Sequence, residues 1–162
     1  MKLDCIESFP NYLRKSIFFF ILALTFGYFS GFKFIVHTTD LNAQGISENY
    51  TGNEYDESAN VLKFKRSEGE MLTTIHTHVL SFSLIFFCLG ALLVTVPINI
   101  KLKYFLMVEP FVSTILTFGG IWLLWLGYDW VKYIVMVSGI LITLSFTLSA
   151  VIIAYYCLKK EH

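Results

Sequence analysis

The chain is poor in charge. Only 15% of its 162 residues are Asp, Glu, Lys or Arg, where a soluble domain carries about a quarter. Twelve basic and twelve acidic residues cancel, and the basic ones fall in twos and threes. They assemble no basic stripe of the kind nucleic-acid binding needs, so that class is excluded. Cysteine and proline are scarce, three of each. Cys5, Cys88 and Cys157 all lie outside the polar segment 37–70, so no disulfide framework is available there. Also missing are a nucleophile beside its base, a glycine-rich phosphate loop and a closed zinc motif. The sequence does not read as an enzyme.

Apolar and aromatic residues fill the space that charge leaves, at 56% and 17% of the chain. Four stretches, about 16–36, 72–96, 104–127 and 131–158, each reach the length of about 20 residues that a helix needs to cross a hydrocarbon core. In lipid each must be helical, because no water is present to satisfy an open backbone. The first follows Arg14 and Lys15, as a signal peptide would. Its core is too long and aromatic for one and no clear small-x-small cleavage site follows, so a retained helix is expected. The expected fold is all-α, an integral membrane four-helix bundle forming a single membrane domain over 1–162.

Lysine and arginine placement sets the expected orientation. Lys2, Arg14, Lys15, Lys101, Lys103, Lys159 and Lys160 fall on one side; Lys33, Lys63, Lys65, Arg66 and Lys132 fall on the other. That excess puts both termini in the cytoplasm and the loop 37–70 outside. The loop is rich in Asn, Gly, Ser, Asp and Glu, so regular structure should be sparse, with a turn at "YTGNEY". "VLKFK" alternates apolar and basic residues, which suits a segment along the interface or a short strand. Ser67-x-x-Glu70 forms a capping box ahead of the second apolar run, so that helix should start near Glu68. Ser8 suits a helix cap and Pro10 a first turn. Gly27 and Gly31 have the spacing that admits a close neighbouring helix, or are simply glycines that lipid permits.

Two histidines stand one residue apart in "EGEMLTTIHTHVLSF", where the second span leaves the polar loop. Topology brings His37, His76, His78 and Asp129 to one membrane level. Residues two apart on a helix point about 200° apart, so His76 and His78 cannot share one ion on a regular helix. The sharper expectation is a site in which His37 and one of the other two hold haem iron or a transition metal, with Asp129 nearby. The plainer one has these imidazoles bonding to threonines, carbonyls and headgroups. His162 is expected in solvent. Glu109, followed by Pro110, is the lone core carboxylate. It should pair with Lys101 or Lys103 or bond a hydroxyl of the fourth span, and a single acid makes a poor relay.

Tyr-x-Gly-Asn at 50–53, the basic segment after it, His76-x-His78 and Pro110-Phe111 together resemble a family of small bacterial inner-membrane proteins. The likeness runs over about 35–150. It implies a bacterial inner-membrane location and a four-span architecture, and it names no activity. Two functions follow as expectations. One is an accessory subunit binding haem or a metal at its outer face. The other is a cofactor-free scaffold or assembly partner acting through the outer loop, with lipid, a membrane protein or a second copy as its company.

Overall fold

A computed structural model describes residues 5–54 and 61–159. Tyr55 of the expected turn, Lys2, Asp56, Glu57, Lys160 and His162 lie outside the described residues. The described chain is all-helical with no strand. It has a short 3₁₀ turn at Ile6–Ser8, then α1 (Asn11–Thr39), α2 (Ala43–Thr51), α3 (Glu68–Val94), α4 (Ile100–Trp125) and α5 (Lys132–Leu158). The helices α1, α3, α4 and α5 are long and apolar enough to cross a membrane. The shortest has 26 residues, about 39 Å at 1.5 Å per residue, against a hydrocarbon core of about 30 Å. The chain is a multi-pass membrane protein.

Local signals account for the helix ends. The hydroxyl of Ser67 accepts from the Glu70 N–H while the Glu70 carboxylate accepts from the Ser67 N–H, so α3 starts behind the capping box that its sequence marks. Asn99 caps α4 through its side chain. Ser8 does not cap α1. Its hydroxyl donates back to the Cys5 carbonyl and closes the 3₁₀ turn, and Pro10 stands at the N-cap instead.

Packing is strongest between α4 and α5, then between α3 and α4, while α1 leans chiefly on α5. Small side chains set the α4–α5 approach. A Cβ on Gly120 would come within 2.8 Å of a Val135 methyl. The main core runs through Ile17, Ile21, Phe86, Leu89, Ile142, Phe146 and Ile153. Tyr28 of α1 stacks on Phe146 of α5 at 3.9 Å between ring centroids and reaches Thr143 with its hydroxyl. Between α1 and α3 an apolar cleft of about 400 Å3 remains open, lined by Ser16, Ile17, Phe20, Cys88, Ala91 and Leu92. Gly27 and Gly31 face nothing within 4 Å, so no helix among the described residues uses their spacing.

The first and last described residues lie at one end of the bundle. The Arg14 guanidinium donates to the carbonyls of Cys157 and Lys159 at the end of α5, where the helix leaves carbonyls without partners. Glu7 pairs with Lys159 at 2.8 Å, and the carboxylate beside it pushes the Lys159 ammonium above its usual range. The opposite, capped end carries α2 and the segment 61–67.

Candidate functional site

The capped end departs from the sparse structure expected of a polar loop, since α2 is a regular helix of 9 residues. Asn42 supplies its N-cap by accepting from the Gly45 N–H at 2.7 Å. Asp40 and Leu41 turn the chain from α1 into α2, both with φ at 51° in the left-handed region. Gly45 permits the close seat of α2 on α1, because a Cβ there would stand 2.1 Å from the Thr39 carbonyl oxygen. The bracket of Asn42 before and Gly52 after is the sequence signal that marks this helix.

Gly52 gives the Tyr-x-Gly-Asn stretch its physical meaning. Its φ of 78° favours glycine, and a Cβ there would lie 2.6 Å from the Lys65 nitrogen. The extended segment runs against that turn. Asn53 N–H donates to the Lys63 carbonyl, Lys63 N–H to the Asn53 side chain, and Arg66 N–H to the Tyr50 carbonyl. The alternative of a short strand at "VLKFK" does not form, because the partner is a turn and side chains instead of a second extended chain.

Polar ties from Ser47 and to Arg66 bind the cap to the bundle, and a pair within the bundle steadies the first of them. Ser47 donates to Asp129 at 2.9 Å, Lys132 pairs with the other oxygen of Asp129 at 2.6 Å, and the Trp125 indole donates to the Arg66 carbonyl. Lys65 lies over the Trp125 ring and Arg66 over Tyr50. Burial pushes the Tyr50 phenol above its usual range, an effect that the nearby Arg66 charge partly offsets. Lys63 turns inward to Glu48 and to the Thr38 carbonyl. Val61, Leu62 and Phe64 remain exposed, with Leu41.

The histidines occupy separate places. His37 is exposed in the last turn of α1, and His76 is exposed on α3. His78 bonds through Nδ1 to the Thr74 carbonyl at 2.7 Å, and its ring lies 5.2 Å from that of Phe118. It thus leans towards α4, while α1, which carries His37, packs more closely on α5 than on α3. Asp129 is held by Ser47 and Lys132. Among the described residues no three of His, Cys, Asp and Glu gather as a metal would need.

Glu109 lies on the α4–α5 seam. Ser113 of α4 donates to one carboxylate oxygen and Ser145 of α5 to the other. This is the hydroxyl partner that the sequence offers as one alternative. Lys103 turns instead to the Val94 carbonyl at 3.1 Å. Thr117 and Ser138 bridge the same two helices at 2.7 Å.

A family model described as Aq_1264_TM, a transmembrane helical domain, matches residues 40–162, and the chain belongs to that family. The matched residues begin at Asp40, directly behind α1. No curated protein and no solved structure matches the chain.

Proposed function

We propose that this member of the Aq_1264_TM family is a cofactor-free membrane scaffold or assembly partner that acts through its capped end. We place it in the bacterial inner membrane with the cap outside, on the distribution of its lysines and arginines. The observation that carries the reading is the segment 61–67. Its backbone is fastened to the 50–53 turn, yet Val61, Leu62 and Phe64 point away from the bundle, each more than half exposed. Apolar side chains on a backbone already ordered cost little further entropy on binding, which is what a docking strip requires. Lys65 beside them adds a charge that selects an acidic partner.

The second reading is haem or a transition metal held by His37 with His76 or His78. It needs imidazoles from two helices to converge on one ion. The packing of α1 on α5 and the lean of His78 towards Phe118 favour the scaffold over it.

A photo-crosslinking side chain at position 64 in native membranes tests the reading. A discrete protein adduct, lost with Leu62→Asp, is the expected result. Adducts to lipid alone would sink the scaffold and leave the strip as an interface anchor. A stoichiometric Soret band or metal content in the purified protein, abolished by His37→Ala, would transfer the function to the histidines.

A further inference from the structure

The α4–α5 seam holds more oxygen than the helices use. Glu109 stands nine residues beyond Ile100, about 14 Å along α4. Among the described residues it is the one acid within a spanning helix away from its ends, and the ion pairs they form do not include it. A charge carried to that depth without a counter-charge is costly. Two hydroxyls already donate to it, one to each oxygen.

A third hydroxyl nearby has no partner. Ser149 is fully buried, and its oxygen makes no hydrogen bond. The contrast on the same helix is informative. Ser138, Thr143 and Thr147 each donate to the carbonyl four residues back, and Ser149 does not. Its position follows from register. Thr117 meets Ser138 and Glu109 meets Ser145 across antiparallel helices, so one turn beyond Ser145 places Ser149 at the level of Leu106. Pro110 has no N–H to give the Leu106 carbonyl, and Leu106 is itself buried. A carboxylate, an unpartnered hydroxyl and a carbonyl deprived of its ladder bond thus share one turn of the seam.

We propose that Glu109, Ser113, Ser145, Ser149 and the Leu106 carbonyl form an intramembrane site for one small monovalent cation, Na+. All the donors are hard oxygens, which suits an alkali or alkaline-earth cation and not a soft metal. One carboxylate balances one positive charge, whereas a divalent ion would leave the seam net positive in hydrocarbon. Few protein oxygens are present, which favours the smaller Na+ over K+. The site is remote from the cap and independent of what the cap binds.

The full chain in detergent, treated with a hydrophobic carbodiimide and read by peptide mass spectrometry at Glu109, tests the site. NaCl should slow labelling roughly tenfold relative to choline chloride at equal ionic strength. Ser149→Ala should need roughly tenfold more NaCl for the same protection, equivalent to about 1.4 kcal/mol of lost binding. The thermal midpoint of the intact protein should rise with NaCl but not with choline chloride, and Glu109→Gln should lose that rise. Circular dichroism checks that both variants fold. Labelling that follows pH and ignores Na+ would overturn the proposal in favour of a site for a proton alone. If Glu109 does not label, a thermal midpoint indifferent to Na+ overturns it equally.

Discussion

The indole N–H of Trp125 donates to the backbone carbonyl of Arg66 across 2.8 Å. That bond fastens the last turn of α4 to the segment that enters α3, and Lys65 lies over the same ring at 4.8 Å. One aromatic residue therefore meets the cap twice, through its indole N–H and through its ring face.

Replacing it tests the tie. Trp125→Phe keeps an aromatic ring and removes the donor, leaving a part-buried carbonyl without its partner. The expected cost is about 1 kcal/mol, a fall of a few degrees in thermal midpoint for a chain of this length. Limited trypsin digestion should cut sooner after Lys65 and Arg66. Unchanged cutting would mean that the cap is held elsewhere.

Glycine substitutions should separate by sign. Gly45→Ala forces a methyl group into the Thr39 carbonyl, so α2 must lift from α1 at a cost of about 1–3 kcal/mol. Gly27→Ala meets nothing within 4 Å in the middle of a helix, and should be neutral or stabilising by about 0.5–1 kcal/mol. Unfolding midpoints of the two variants beside the parent check the contrast. A destabilised Gly27→Ala would indicate that another molecule approaches α1 there.

The four spans are legible because lipid leaves a long apolar run only one backbone solution. The start of α3 is equally legible, since Ser67 and Glu70 form a local motif that needs no tertiary partner. The cap is not. Its acidic and amide residues look like a solvated loop until Asn42 and Gly52 are seen as the two ends of a helix, and Ser47 meets Asp129 only through tertiary packing. Glu109 stands out in the sequence as an acid within an apolar span, but which hydroxyls reach it depends on the register of α4 against α5. In the sequence Ser149 is one of five serine and threonine hydroxyls of the fourth span, with Ser138, Thr143, Ser145 and Thr147. Each is able to bond across helices or back to its own helix, and nothing sets Ser149 apart from the other four. An unpartnered hydroxyl is visible only once its neighbours' bonds are known.

Alkaline pH should loosen the cap through Tyr50. Burial raises its folded pKa above the ordinary value of 10.0. The folded state thus holds the phenol proton more tightly than the unfolded one. The contribution is fully present below pH 10.0 and is lost as pH rises through the folded pKa. Tyr50→Phe should flatten that part of the stability profile. The difference in phenolate absorbance between parent and variant reports the titration directly, and a normal midpoint for Tyr50 would sink the prediction.

The bond between Thr117 and Ser138 offers a measure of what the α4–α5 seam contributes apart from any ion. Both hydroxyls are buried, and Ser138 donates its proton to the Ile134 carbonyl, so its oxygen is left to accept from Thr117 across the seam. Thr117→Val removes one partner while keeping the shape, Ser138→Ala removes the other, and the double variant removes both. Interhelical hydrogen bonds in membranes average about 0.6 kcal/mol and reach about 1.7. A coupling near the lower figure is expected here, because Ser138 retains its own carbonyl when Thr117 is lost. A double-mutant cycle on unfolding in mixed micelles gives the value. Coupling above about 1.7 kcal/mol would place this bond beyond the usual range for membrane helices, and would identify Thr117 and Ser138, not only the packing around Gly120, as a principal fastening of the two helices.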